Sequence, residues 1–101
     1  MSRETVQSGH TSLLRELNEE RATALARIAR RLDTLLTQLH HLWTQAEQAG
    51  EPERAGLRER YHVLREQALE YRWYLEVQRE SMGIRSHALL DEFYAVPGEL
   101  P

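Results

Sequence analysis

Glu59-Arg-Tyr-His62 sets a carboxylate and an imidazole one helical turn apart, on the same side of any helix that contains them. Such a pair offers one oxygen and one nitrogen ligand to a transition metal. Two more imidazoles, His40 and His41, stand next to each other in an earlier leucine-rich stretch. His40, His41, Glu59 and His62 are therefore the candidate metal ligands. They would converge only if the face bearing Glu59 and His62 turned toward the centre of a helical bundle. The apolar positions around them are Leu57, Tyr61 and Leu64. A seam through those three points Glu59 and His62 mostly away from the core, as surface groups.

The Glu-x-x-His pair resembles the motif of ferritin-like diiron proteins, over these four residues alone. That resemblance implies a four-helix bundle with iron held inside by glutamates from neighbouring helices. The sequence departs from the pattern where it matters. The facing region of the first helix supplies His40 and His41 in place of a glutamate. A ferritin-like metal-binding helical protein using Glu59 and His62 is thus an alternative; the residues themselves call for no cofactor.

Other chemistries find less support. The chain contains no cysteine, which removes thiolate ligands, thiol nucleophiles and disulfides. There is no glycine-rich phosphate loop and no nucleophile elbow, and the few serines and threonines stand at no recognisable spacing from a histidine and a carboxylate. No catalytic residue is assigned, and an enzyme is not expected. All thirteen basic residues are arginine, as codon usage in a GC-rich bacterial genome would produce. Arg27, Arg30 and Arg31 make a locally basic stretch suited to phosphate contact, so a weak nucleic-acid binder is a second alternative. Against it stand Glu16, Glu19, Glu20 and Asp33 on either side, and a net charge of −3. No apolar run approaches the roughly 20 residues that span a bilayer, and the N-terminus lacks the apolar segment of a signal peptide. A cytoplasmic protein that does not engage membranes is the expectation.

The elements that position these residues are helices. Residues 1–10 are polar and aperiodic and read as a disordered leader. Thr11 or Ser12 then suits a helix N-cap. Over about 12–49 the column Leu25, Ile28, Leu32, Leu35, Leu39, Leu42, Ala46 advances in alternating steps of three and four, the pattern of a helix-packing seam. Gly50, expected in the left-handed conformation, ends this helix, and Pro52 suits the first turn of the next. The second helix, about 52–82, has its own seam: Leu57, Tyr61, Leu64, Ala68, Tyr71, Leu75, Gln78, Met82. Folded back across so short a connection, the seams pair in one antiparallel register. Ala46 faces Leu57, Leu42 Tyr61, Leu39 Leu64, Leu35 Ala68, Leu32 Tyr71 and Ile28 Leu75, each pair of numbers adding to the same total. Gly83 ends the second helix, with Ile84 placed for the apolar contact of a Schellman cap. Ser86 can cap a short third helix over about 86–94. Residues 97–101 read as a terminating tail. Leu13, Leu14 and Leu17 lie beyond the reach of the second helix, and the third is expected to fold over them, in its own chain or in a partner.

Two paired helices bury two stripes, and apolar residues are left over. Ala22, Ala29, Leu36 and Trp43 recur every seven residues beside the first seam; Val63, Leu69, Trp73, Tyr74 and Val77 lie off the second. An uncovered patch of this kind marks an interface. Two hairpins packed about a two-fold axis into a four-helix bundle would cover it. The aromatic cluster Tyr71, Trp73, Tyr74 fits packing at a rim better than a ligand cage. Ile84 to Val96 is an amphipathic element after a glycine hinge, suited to docking on its own hairpin or on another protein.

The sequence thus predicts an all-α protein with a single helical domain over residues 11–96: an antiparallel hairpin of two long helices plus a short C-terminal helix, forming a dimeric four-helix bundle. Its expected function is a non-enzymatic protein–protein interaction module, an adaptor or regulatory subunit. The expected partner-binding residues are Leu36, Trp43, Trp73, Tyr74, Val77, Leu89, Leu90, Phe93 and Tyr94.

Overall fold

The computed structural model describes residues 3–101, with side chains from residue 8 onward. It contains three helices: α1 (Arg3–Gln48), α2 (Glu53–Ser81) and α3 (Ala88–Phe93). No strand occurs among the described residues. The molecule measures 74 × 20 × 15 Å. At about 1.5 Å per residue, α1 alone accounts for most of the long dimension.

The two long helices pack against each other as an antiparallel hairpin. Leu32, Leu35, Leu39, Leu42 and Ala46 of α1 and Tyr61, Ala68 and Leu75 of α2 are buried. These are the residues of the two predicted seams. Contacts along the hairpin bracket the predicted register. The Trp43 and Tyr61 rings meet edge-on at 5.8 Å. The Arg31 guanidinium lies 5.9 Å from the Tyr71 ring centroid. Leu25 and Ala29 share a cavity wall with Leu75 and Arg79. Burial of such leucines contributes about 1.5–3 kcal/mol each, which makes the seam the main stabilising feature of the hairpin.

The helix ends differ from expectation in detail. α1 takes in residues 3–10, which the sequence places in a leader; Met1 and Ser2 lie outside the described residues. At its other end, α1 does not use Gly50 in the left-handed conformation, since among the described residues only Gly83 has a positive φ, at 85°. It closes with a tightened turn in which the Ala49 N–H donates to the Ala46 carbonyl at 3.3 Å. Pro52 stands just before α2 rather than inside its first turn. The end of α2 is a full Schellman motif: Gly83 N–H bonds the Glu80 carbonyl and Ile84 N–H bonds the Arg79 carbonyl, both at 3.0 Å. α3 is preceded by His87 at its N-cap, and the Ser86 hydroxyl accepts a long 3.5 Å bond from Ala88 N–H.

The largest departure concerns the C-terminal segment. α3 does not fold over Leu13, Leu14 and Leu17 of its own chain, which are all exposed on an overhang of α1. Residues 86–101 turn the other way and run back along the hairpin toward its connection, antiparallel to α2. We call this segment the strap. Its last five residues, 97–101, are more than a tail: Leu90 and Leu100 anchor the strap at 2% and 6% exposure. The physical reason is the number of walls. The overhang offers one helix to pack on, whereas the groove between α1 and α2 offers two and buries more apolar surface.

Candidate functional site

Two heptad columns, one from each long helix, form the walls of the strap groove. Residues seven apart on a helix return to nearly the same face. On α1 the wall is Ala29, Leu36 and Trp43. Ala29 lines a cavity with Leu90 and Tyr94; Leu36 and Trp43 line one with Ala95, Pro97 and Gly98. On α2 the wall is Arg58, Arg65, Arg72 and Arg79, and each of the four touches the strap. Arg79 Nη2 donates to the Ser86 carbonyl at 3.0 Å. Arg72 Nη2 pairs with Asp91. Arg65 Nε donates to the Pro97 carbonyl at 2.8 Å, and its Nη1 reaches Glu99 at 3.3 Å. Arg58 Nε donates to the Pro101 carbonyl at 3.3 Å. The planar guanidinium suits this task, since one side chain serves a carbonyl and a carboxylate at once.

Tyr61 closes the groove floor. Its hydroxyl donates to the Gly98 carbonyl at 2.7 Å. Burial is the main reason its phenol titrates above the ordinary value; Arg65 pulls it down and Glu99 pushes it up. Beside it, a shallow cavity of about 590 Å³ opens between α1 and the strap, with Leu36, His40, Trp43 and Glu47 on the α1 side. Trp43 Nε1 donates to Glu47 at 2.9 Å along its rim.

The predicted metal ligands do not converge. His40 and His41 neighbour each other on α1 with ring centroids 6.4 Å apart, and both are exposed. Glu59 belongs to no ligand-like group among the described residues; His62 instead lies with Glu66 and Glu99, all three exposed. Arg65 Nη1 already sits 3.3 Å from Glu99 and 3.9 Å from Glu66. The guanidinium thus fills the cationic role within that cluster. Arg27 and Arg30 of the basic stretch are exposed, while Arg31 stacks over Tyr71.

The predicted partner-binding residues fall into two groups, with the half-buried Tyr74 between them. Leu36, Trp43, Leu90 and Tyr94 pack within the chain's own core. Trp73, Val77, Leu89 and Phe93 are exposed. With Leu69, also exposed, Trp73 and Val77 form a stripe at four-residue steps along α2. Trp73 is two residues from the buried Leu75 and so lies about half a turn round the helix from the seam. A chain of rings leads back from the stripe to the seam: Trp73 meets Tyr74 at 5.6 Å and Tyr74 meets Tyr71 at 5.5 Å. Hydrogen bonding to Glu70 raises the Tyr74 phenol above its ordinary value.

Sequence reasoning missed the arginine column and the strap's return path. The seven-residue spacing of Arg58, Arg65, Arg72 and Arg79 was the available signal, set against the Asp91 and Glu99 carboxylates.

The chain matches no protein-family model, and no curated protein or solved structure is significantly similar to it. No helix among the described residues is long and apolar enough to cross a membrane.

Proposed function

We propose that this protein is a non-enzymatic helical interaction module that docks a partner on the outer face of α2. One observation carries this reading: Leu69, Trp73 and Val77 stand exposed in a single stripe, Trp73 at 58%, on a face that neither α1 nor the strap covers. Large aromatic and aliphatic side chains so aligned are the usual anchors of helix-in-groove and helix-on-helix association. The Tyr71–Tyr74–Trp73 ring chain holds the central anchor in place, which reduces the ordering cost of binding.

The occupant we favour is a second copy, related by a two-fold axis, completing a four-helix bundle. Isologous packing of this stripe would cover apolar surface on both copies at once. Native mass spectrometry of the purified protein, with sedimentation over a range of concentrations, tests it. A wild-type dimer that dissociates on Trp73→Ala, with helicity unchanged, is expected. A wild-type monomer at every concentration, or a Trp73→Ala dimer as tight as wild type, would sink the homodimer.

A further inference from the structure

We propose that the strap is exchangeable: residues 86–101 of one copy occupy the groove of a second copy, and the reverse. The strap seated in its own chain displays what the groove accepts. It takes a short helix and extended segment with apolar anchors at Leu90 and Leu100, carboxylates at Asp91 and Glu99, and carbonyls at Ser86, Pro97, Gly98 and Pro101. The four groove arginines recognise charges and carbonyls, and these are the same whichever chain presents them. The charge complementarity that closes the strap in cis therefore selects a second copy's strap in trans.

Three features make the element separable. The six-residue α3 is far too short to hold its helix alone, so the groove is what orders it. The strap joins α2 through Gly83, at φ 85°, and residues 83–86 of the connection are exposed. Met82 to His87, drawn out, reaches about 17 Å, whereas packed helices lie roughly 8–10 Å apart. A second copy lying beside α2 is therefore within reach. The contacts made after exchange equal those broken before it, so only the connection changes conformation. Exchange does not require that the Leu69–Trp73–Val77 stripe bring the copies together.

The test uses the absence of native cysteine. His62 and Glu99 approach to 3.6 Å across α2 and the strap, and both are exposed. Full-length chains carrying either His62→Cys or Glu99→Cys are mixed in equal amounts and treated with a short bismaleimide. A covalent dimer joined at positions 62 and 99, increasing with protein concentration, is the expected product. The doubly substituted chain reports the cis form as an internally linked monomer, and circular dichroism checks that every variant keeps its helices. No more dimer in the mixture than in either single variant, together with an internal link in the double variant, would overturn exchange. So would a dimer by native mass that never yields the 62–99 link; that result leaves association on the α2 stripe intact.

A second measurement does not depend on cross-linking. Arg72→Asp or Asp91→Arg alone sets like charges against each other. Mixed, the two chains restore both pairs only in a dimer with exchanged straps. A one-to-one heterodimer by native mass spectrometry is expected, and two persisting monomers would count against the proposal.

Discussion

The Tyr61 hydroxyl, near the connected end of the helical hairpin, bonds the carbonyl of Gly98, 37 residues further along the chain. Both partners line the cavity between α1 and the strap. The bond ties the returning segment to a side chain that is itself almost wholly buried. Tyr61→Phe keeps the ring and its edge contact with Trp43 but leaves the carbonyl without this donor. A loss of about 0.5–1.5 kcal/mol is expected. Denaturant unfolding measures it, and limited proteolysis within residues 97–101 should quicken while the amides of Leu35 and Leu39 stay protected.

The same phenol predicts a response to alkali. Burial raises its titration point above the ordinary value of 10.0. A group whose folded value is raised stabilises fully below the unfolded value and loses that contribution as pH climbs through the folded one. The contribution of Tyr61 to strap stability should therefore be flat through neutral pH and fall above about pH 10. Phenolate absorbance together with denaturant unfolding, followed from neutral pH to above about pH 10, checks this. In Tyr61→Phe the strap's alkaline loss should shrink.

Arg65 and Arg27 make a paired comparison. Arg65 is mostly covered and donates to the Pro97 carbonyl, whereas Arg27 is exposed. Removing Arg65 should cost on the order of 1 kcal/mol, and Arg27→Ala should stay within roughly ±0.5 kcal/mol. Arg65→Lys should rescue little, because an ammonium cannot serve Pro97 and Glu99 through a planar fork. Chemical denaturation of the three variants decides it.

Leu39→Ala and Leu90→Ala should fail in different ways. Leu39 lies at the centre of the seam, fully buried. Its truncation should cost roughly 2–5 kcal/mol and lower the melting point of the whole hairpin. Leu90 anchors the strap against the edge of that core. Leu90→Ala should free residues 86–101 to limited proteolysis while α1 and α2 keep their helical circular dichroism. Cooperative loss of both would show that the strap is integral to the hairpin core.

By itself, the sequence determined the hairpin, because the information is local and repeated. Steps of three and four over Leu25 to Ala46 and Leu57 to Leu75 define two faces, and a short Gly-Glu-Pro connection permits only one way to join them. Gly83 and Ile84 spelled out a helix cap for the same reason. The strap's path was decided only by tertiary structure. Four of its polar contacts are made by backbone carbonyls, at Ser86, Pro97, Gly98 and Pro101, which every residue type offers and no sequence pattern announces. Leu100 stands alone among turn-forming residues, without the periodicity that marks a buried face. The preference for the two-walled groove over Leu13, Leu14 and Leu17 depends on surface that exists only after α1 and α2 have packed. For the same reason Leu36 and Trp43 became groove wall while Trp73 and Val77 stayed open, although all four look alike as surplus apolar residues beside a seam.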